Sequence, residues 1–301
     1  MIIKDLEDFS KKIKGKLFFE YNIKNLNWFN IGGQSKVFFK PDSLKELMNF
    51  LKVYNNRGKL TVLGAGSNIL FSDKMYEGAI IKLSNRFNNL SILNNDKIIA
   101  GGGVLDKKLS EFACENKLEG LEFLSCIPGS VGGGIRMNSG CFGKEFKDIL
   151  LSVQTIDSLG NIGTYLHKDI KFFYRGTNLP NDVIILSGTF KGSLSDNNIM
   201  EKINELKLKK DSAQPSKIKT GGSTFKNPIG LTDKKVWQLI KEHVPLDTRF
   251  GDAEISKKHC NFFVNSNNAK FIDMMNLINY VKKKVKDNTN IDIELEIKII
   301  D

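Results

Sequence analysis

Three glycine-rich stretches and a few polar side chains carry what chemistry this sequence can do. The first, LTVLGAGSNIL at 60–70, runs an apolar strand, Leu60 to Leu63, into Gly64-Ala65-Gly66-Ser67-Asn68. The second spans Gly120 to Gly143, GLEFLSCIPGSVGGGIRMNSGCFG, and the third is Gly101-Gly102-Gly103. Runs poor in side chains but edged by apolar residues let backbone lie close to something else. Successive free N–H groups in such turns form an anion-binding concavity. Taken alone, the long run reads equally as a tight crossover between strands. The 60–70 turn is not GxGxxG, because Ile69 is followed by no glycine and no long amphipathic helix, and it is not GxxxxGK[ST]. Three such turns together fit a large cofactor held mainly by backbone groups.

The polar candidates are few. Ser223 sits in TGGSTFKNP at 220–228, where a serine on a glycine-rich turn can point its hydroxyl into a cleft. The context is not GxSxG and no His–Asp pair accompanies it, so a hydrolase triad is disfavoured. It reads either as a hydroxyl that donates a proton or hydrogen bond, or as a turn serine capping backbone. Phe172-Phe173-Tyr174-Arg175 sets a cation beside aromatics in a chain whose positive charge is nearly all lysine. Arg175 could clamp a carboxylate or phosphate, or stack on a neighbouring ring. The last segment alternates Ile291, Ile293, Leu295, Ile297 and Ile299 with Asp292, Glu294, Glu296 and Lys298, a strand pattern with one core face. It places Glu294 and Glu296 on the same side, so periodicity does not choose between them, and a solvated face is the plainer reading of either. His259 reads as a capping or packing histidine and Cys141 as unreactive. Four scattered cysteines without CxxC and three isolated histidines argue against a metal site or a redox dithiol.

The elements that must hold these residues follow from periodicity. A helix is expected over 5–16 and a strand over Lys36 to Lys40. A helix after Pro41 is capped by Asp42 or Ser43, with Leu44, Leu47, Met48 and Leu51 inward. Strands are expected at Leu60–Leu63, Ala79–Leu83, Lys97–Ala100, Leu151–Ile156, Ile162–Leu166 and Val183–Phe190, with a hairpin turn at 157–160. Helices are expected at about 106–116, 196–210, around Trp237 and at 273–286, with short strand-like Asn261–Val264 and a terminal strand over 291–300. The 301 residues allow two or three domains. The formal charge of +11 suits nucleic acid or anionic small ligands. Its lysines are scattered rather than gathered with arginines and aromatics on one element, which argues against nucleic acid. No stretch approaches a membrane span and the N-terminus lacks a signal-length apolar run, so a reducing cytoplasm is expected.

Taken in order, NWFNIGG, VLGAGSNIL, GLEFLSCIPGSVGGGIRMNSG, FYRG, GGSTFKNP, DAEISKKHCNFFVN and IELEIKI resemble the UDP-N-acetylenolpyruvoylglucosamine reductases, from about Asn22 to Ile300. These are flavoproteins of bacterial peptidoglycan precursor synthesis. The resemblance implies an α+β architecture, a two-lobed FAD-binding domain of the vanillyl-alcohol-oxidase type followed by a substrate domain. The lobes would be 1–77 and 78–194, and the substrate domain 195–301. It implies non-covalent FAD lined by Leu63, Gly64, Ala65, Gly66, Ser67, Asn68, Ile69 and Leu70. Ile127, Pro128, Gly129, Ser130, Gly133, Gly134, Asn138 and Gly140, with Arg136, would make the second wall.

The implied reaction is a relay in which NADPH reduces the flavin and the flavin reduces the enolpyruvyl double bond of a UDP-sugar. The catalytic residues carried over are Ser223 as proton donor, Arg175 at the carboxylate and Glu296 beside them. Lys226 and Asn227 are weaker candidates for the UDP moiety. A monomer is expected. Departures from the commonest pattern are Ile297-Lys298 for Val-Arg, Gly176-Thr177 after the arginine, and Thr220-Gly221-Gly222 before Ser223. There is no room for the inserted tyrosine-bearing loop of one branch, so the chain looks like the short type. The competing enzyme reading is an FAD oxidase of the same fold acting on a sugar or alcohol.

Overall fold

The structure, a computed structural model, describes residues 2–301, the side chains of Ile2 and Ile3 excepted. In chain order the first half contains α1 (Ile2–Ser10), β1 (Lys16–Asn22), β2 (Gln34–Lys40), α2 (Leu44–Tyr54), β3 (Lys59–Val62), β4 (Ile69–Phe71) and β5 (Tyr76–Ile81). Next come β6 (Leu90–Leu93), β7 (Lys97–Gly101), α3 (Asp106–Glu115) and α4 (Val131–Met137). Then follow β8 (Leu150–Ile156), β9 (Ile162–Leu166), β10 (Phe172–Phe173), β11 (Gly176–Thr177) and β12 (Ile184–Lys191). The chain continues with α5 (Ile199–Ala213), α6 (Val236–His243), β13 (Arg249–Phe250), β14 (Ala253–Ile255), β15 (Phe263–Asn265), α7 (Phe271–Thr289) and β16 (Lys298–Ile300).

The chain forms two compact units that are interleaved along the sequence. The first takes residues up to Tyr21, Lys36–Ala65 and Glu77–Lys209, and the second takes Asn22–Ser35, Gly66–Tyr76 and Lys210–Asp301. The first unit carries a four-stranded sheet in the order β1-β2-β5-β3 and a five-stranded sheet in the order β9-β8-β12-β7-β6. β3 and β5 are parallel, Lys59 opposite Gly78, so a crossover must join them. Residues of that crossover, Gly66 to Tyr76, belong to the second unit.

The first unit holds two core clusters, the first of which also takes Ile156, Ile184 and Leu186 from the five-stranded sheet. Val37, Phe39, Leu47, Phe50, Ala79 and Ile81 form one cluster, and Ile98, Leu109, Val131, Phe146, Val153 and Phe190 lie in another. The third cluster, in the second unit, gathers Val236, Ile240, Phe263 and five α7 side chains with Phe29, Ile31 and Leu70 from early in the chain. Those α7 residues are Met274, Leu277, Ile278, Val281 and Val285, the i, i+3, i+4 stripe that the sequence predicts.

α2 begins and ends where its sequence says it should. Ser43 Oγ accepts the Glu46 N–H at 3.2 Å, and Asn55 closes the helix in the left-handed region at φ 45°. The first helix stops at Ser10 rather than running to residue 16. The Glu46 carboxylate takes the backbone N–H groups of Lys14 and Gly15, at 2.7 and 3.0 Å, which a continuing helix would have used. The expected ten-residue terminal strand is also shorter, covering only Lys298–Ile300. Before it, Glu296 N–H donates to Thr224 O and Lys226 N–H donates to Glu294 O, both at 2.8 Å. From Lys298 onward the chain pairs in parallel with β4 instead. The change of partner breaks the ladder that strict alternation suggests.

Candidate active site

A cleft of about 330 Å³ lies within the first unit, walled by the turn after β3, the glycines after β7, the start of α4 and residues 183–185. Of the residues expected at FAD, Leu63, Gly64, Ala65, Ser130, Gly133 and Arg136 line it. Two of its glycines sit at close approaches. A Cβ on Gly64 would fall 2.4 Å from Ser130 Oγ, and one on Gly102 would fall 2.2 Å from the Ile185 carbonyl oxygen. Ser130 is buried, and its hydroxyl has no hydrogen-bond partner among the described residues. A buried hydroxyl of that kind at a cleft wall fits a polar ligand group. The cleft is lined by Lys40, Lys82 and Arg136 and by no carboxylate. Backbone cradle, orphan hydroxyl and excess cation together suit a dinucleotide cofactor with a diphosphate.

Other expected cofactor residues make contacts that hold the fold. Leu70 is fully buried in the second unit's core. Gly66, at φ 73°, leaves 2.1 Å between its would-be Cβ and the Leu26 carbonyl oxygen, so only glycine fits this turn. Gly66 O accepts the Trp28 N–H, while Ser67 continues the turn and Ile69 begins β4. Asn68 Nδ2 donates to Glu296 O at 3.0 Å. Ile127 and Pro128 precede α4, and Gly129 packs on the buried Asp106, its would-be Cβ 2.4 Å from Oδ2. Gly134 is pressed against the Phe146 ring. Arg136 donates to Leu179 O, Pro180 O and Val183 O at 2.9, 2.8 and 2.6 Å, holding the wall segment 179–183. Burial lowers its pKa from the ordinary arginine value.

Asn138, fully buried and left-handed at φ 41°, donates to Glu145 Oε2 and Phe173 O and accepts the Lys147 N–H. It thereby fixes the hairpin that carries Arg175. β10 and β11 pair Phe173 with Gly176, leaving Tyr174-Arg175 as the turn, and Arg175 has φ 61°. Positive φ at the second central residue of the turn is the type II pattern that favours glycine, so an arginine there is strained. Its guanidinium lies 4.8 Å from the Tyr174 ring centroid and reaches Gly140 O at 3.4 Å. The stacking geometry is therefore present alongside a half-buried cation.

Ser223 and Glu296 lie on adjacent stretches of the second unit. The 223–226 segment threads between residue 262 on one side, where Ser223 bridges Phe262, and the 294–297 stretch on the other, where Phe225 bridges Leu295. Thr224 O accepts the Glu296 N–H. Asn261 fastens the thread: it accepts the Phe225 N–H at 3.0 Å and donates to Phe225 O at 2.9 Å. Among the described residues the Ser223 hydroxyl caps no backbone group, whereas the Ser43 hydroxyl caps α2. Glu294 and Glu296, which alternation leaves equivalent, differ here. Glu294 is exposed and pairs with Lys226 at 3.1 Å, whereas Glu296 is half-buried. Asn227 Oδ1 accepts the Val236 N–H that begins α6, so this candidate serves the fold as well.

His259 packs edge-on to Phe262 and its Nδ1 accepts the Asn261 N–H at 3.3 Å, while burial lowers its pKa. Cys141 Sγ donates to Phe123 O. Sequence reasoning missed Lys40, Lys82, Leu105 and residues 183–185 in the cleft, which come from strand ends and loops with no motif. No cluster of metal-ligating side chains occurs among the described residues, and no described helix is long and apolar enough to cross a membrane.

Comparison with known proteins agrees with this geometry. Residues 35–164 match an FAD binding domain profile, and residues 214–300 match the profile of the UDP-N-acetylenolpyruvoylglucosamine reductase C-terminal domain. The UDP-N-acetylenolpyruvoylglucosamine reductase of Pelagibacter ubique is 55% identical over all of both chains. That of Rickettsia typhi is 42% identical, over 96% of this chain and 97% of its own. The crystal structure of the Thermus caldophilus enzyme superimposes with a TM-score of 0.81 at 27% identity, covering 96% of this chain and 100% of the other. With end-to-end identity well above 30%, an FAD-binding first region and a matching C-terminal domain, the chain belongs to the UDP-N-acetylenolpyruvoylglucosamine reductase family.

Proposed function

We propose that this FAD-linked reductase uses NADPH to convert UDP-N-acetylglucosamine enolpyruvate to UDP-N-acetylmuramate, with Ser223 as proton donor. The chemistry FAD supplies when bound is two-electron transfer from NADPH to the enolpyruvyl double bond. The protein must then stabilise negative charge at the carboxylate-bearing carbon and protonate it. Ser223 Oγ delivers that proton. A serine is a poor acid, so it needs an assisting neighbour, and Glu296 on the adjoining stretch takes that role. Arg175 binds the substrate carboxylate and stabilises its enolate-like form, for which a fork of N–H donors is better suited than an ammonium. Lys226 receives the UDP diphosphate. The +11 charge favours three anionic ligands over neutral ones. Four free cysteines agree with a reducing cytoplasm.

The observation that carries the reading is the thread from Ser223 to Lys226, whose backbone runs against 294–297 and so brings the Ser223 stretch to the stretch that holds the half-buried Glu296. Ser223→Ala should leave NADPH oxidation by the bound flavin nearly unchanged and slow reoxidation by the enolpyruvyl substrate by at least 100-fold, about the size of a general acid's contribution. Equal loss in both half-reactions would mean that Ser223 serves folding or FAD binding. Flavin reoxidised only by oxygen, and not by the enolpyruvyl substrate, would favour an oxidase.

A further inference from the structure

Among the described residues, the two lysines that line the cleft have no ion-pair partner. Lys40 ends β2 and Lys82 follows β5, and the Lys82 N–H donates to Phe39 O, so neighbouring strands deliver both to the same end of their sheet. Both line the cleft. Lys82 Nζ lies 3.2 Å from Gly64 O, directly on the turn after β3. Neither lysine forms an ion pair among the described residues, although exposed lysines elsewhere commonly do, as Lys36 does with Glu77. The third cation of the wall, Arg136, is committed to three carbonyls. Burial, and then the charge of Lys40, lower the pKa of Lys82. Holding two unpaired ammonium groups together in a half-buried wall is unfavourable unless an anion joins them.

We propose that Lys82, supported by Lys40, is the electrostatic clamp for the FAD diphosphate, and so sets the salt sensitivity of cofactor retention. The glycine turns of the cleft offer N–H groups and little charge. Lys82 adds a charge-assisted hydrogen bond, about twice as strong as a neutral one. Lys40 adds attraction at longer range, which salt screens readily. The inference rests on FAD occupying this cleft.

The test is a fluorescence titration of the full-length protein, freed of flavin, with FAD and with riboflavin, which lacks the diphosphate. Lys82→Gln should weaken FAD binding about 10-fold and leave riboflavin within twofold of the wild type. Lys40→Gln should show a smaller loss, and raising the salt should narrow the gap between wild type and either variant. Lys82→Arg, which keeps the charge and fold, should recover most of the FAD affinity. An equal loss of FAD and riboflavin binding in Lys82→Gln, or no loss of FAD binding, would overturn the proposal. Failure of the wild type to bind either flavin would instead overturn the placement of FAD in this cleft.

Discussion

The double hydrogen bond from Asn261 to Phe225 permits a quantitative test of how the Ser223 segment is held. Asn261 and Phe225 are both buried, and the side-chain amide meets the Phe225 N–H and C=O together, as a neighbouring strand would. Asn261→Leu keeps the volume and removes both partners. Each buried backbone group left unsatisfied costs about 1–3 kcal/mol, so the variant should lose about 2–6 kcal/mol. Both tryptophans, Trp28 and Trp237, belong to the same unit as Asn261, so urea unfolding followed by tryptophan emission reads the relevant transition. Asn261→Asp refines the test. It keeps an acceptor for the Phe225 N–H but sets a carboxylate against Phe225 O. Its defect should shrink as the pH falls and that carboxyl becomes protonated and able to donate. A loss below about 0.5 kcal/mol in the leucine variant, inside the range of ordinary surface changes, would refute the idea that this clamp holds the thread.

Two further outcomes follow from buried groups in the first unit. Burial pushes the pKa of Asp106 well above the usual carboxylate range, and its oxygens have no partner among the described residues. The folded chain thus keeps a proton that the unfolded chain releases above about pH 4, so this residue's contribution to stability falls as pH rises from there towards its folded pKa. Asp106→Asn, which does not titrate, should therefore gain on the wild type in thermal unfolding as pH rises from 5 to 8, and a pH-independent difference would contradict this. Gly102→Ala should cost about 1–3 kcal/mol, because its new Cβ meets the backbone oxygen of Ile185 at 2.2 Å. Purified protein should then show less flavin absorbance per chain as well as a lower melting temperature.

Much of the fold is legible in the sequence because local signals and packing agree. Ser43 and Glu46 announce α2, and the apolar stripe of α7 announces its buried face. The misses occur where distant partners decide. Nothing local says that Glu46 will draw in the N–H groups of residues 14 and 15 and end the first helix. Nor can the alternation of 291–299 reveal that its hydrogen bonds are split between residues 224–226 and β4. Glycine composition overlooks the short helix α4, because burial of Val131 and Ile135 outweighs the low helix propensity of Gly132 to Gly134. Among the residues that line the cleft, those in the glycine-rich motifs are legible in the sequence. Lys40 and Lys82 carry no motif, and only adjacency of two strands reveals them as a pair. The difference in burial between Glu294 and Glu296 is likewise something period-two alternation does not encode.

The interleaving of the two units sets a timetable for synthesis. β4 leaves the ribosome about 230 residues before β16, the strand with which it pairs. At roughly 5–20 residues per second, that is about 10–50 s during which Leu70 and Phe71 have no final partner. Phe29 and Ile31 wait slightly longer for α7. The first unit, by contrast, has all its sequence by Lys209 and can begin to fold much earlier. Nascent chains halted after α5 should therefore hold an ordered first unit with 22–35 and 66–76 open to protease, and those two segments should become protected only when the last strand is released.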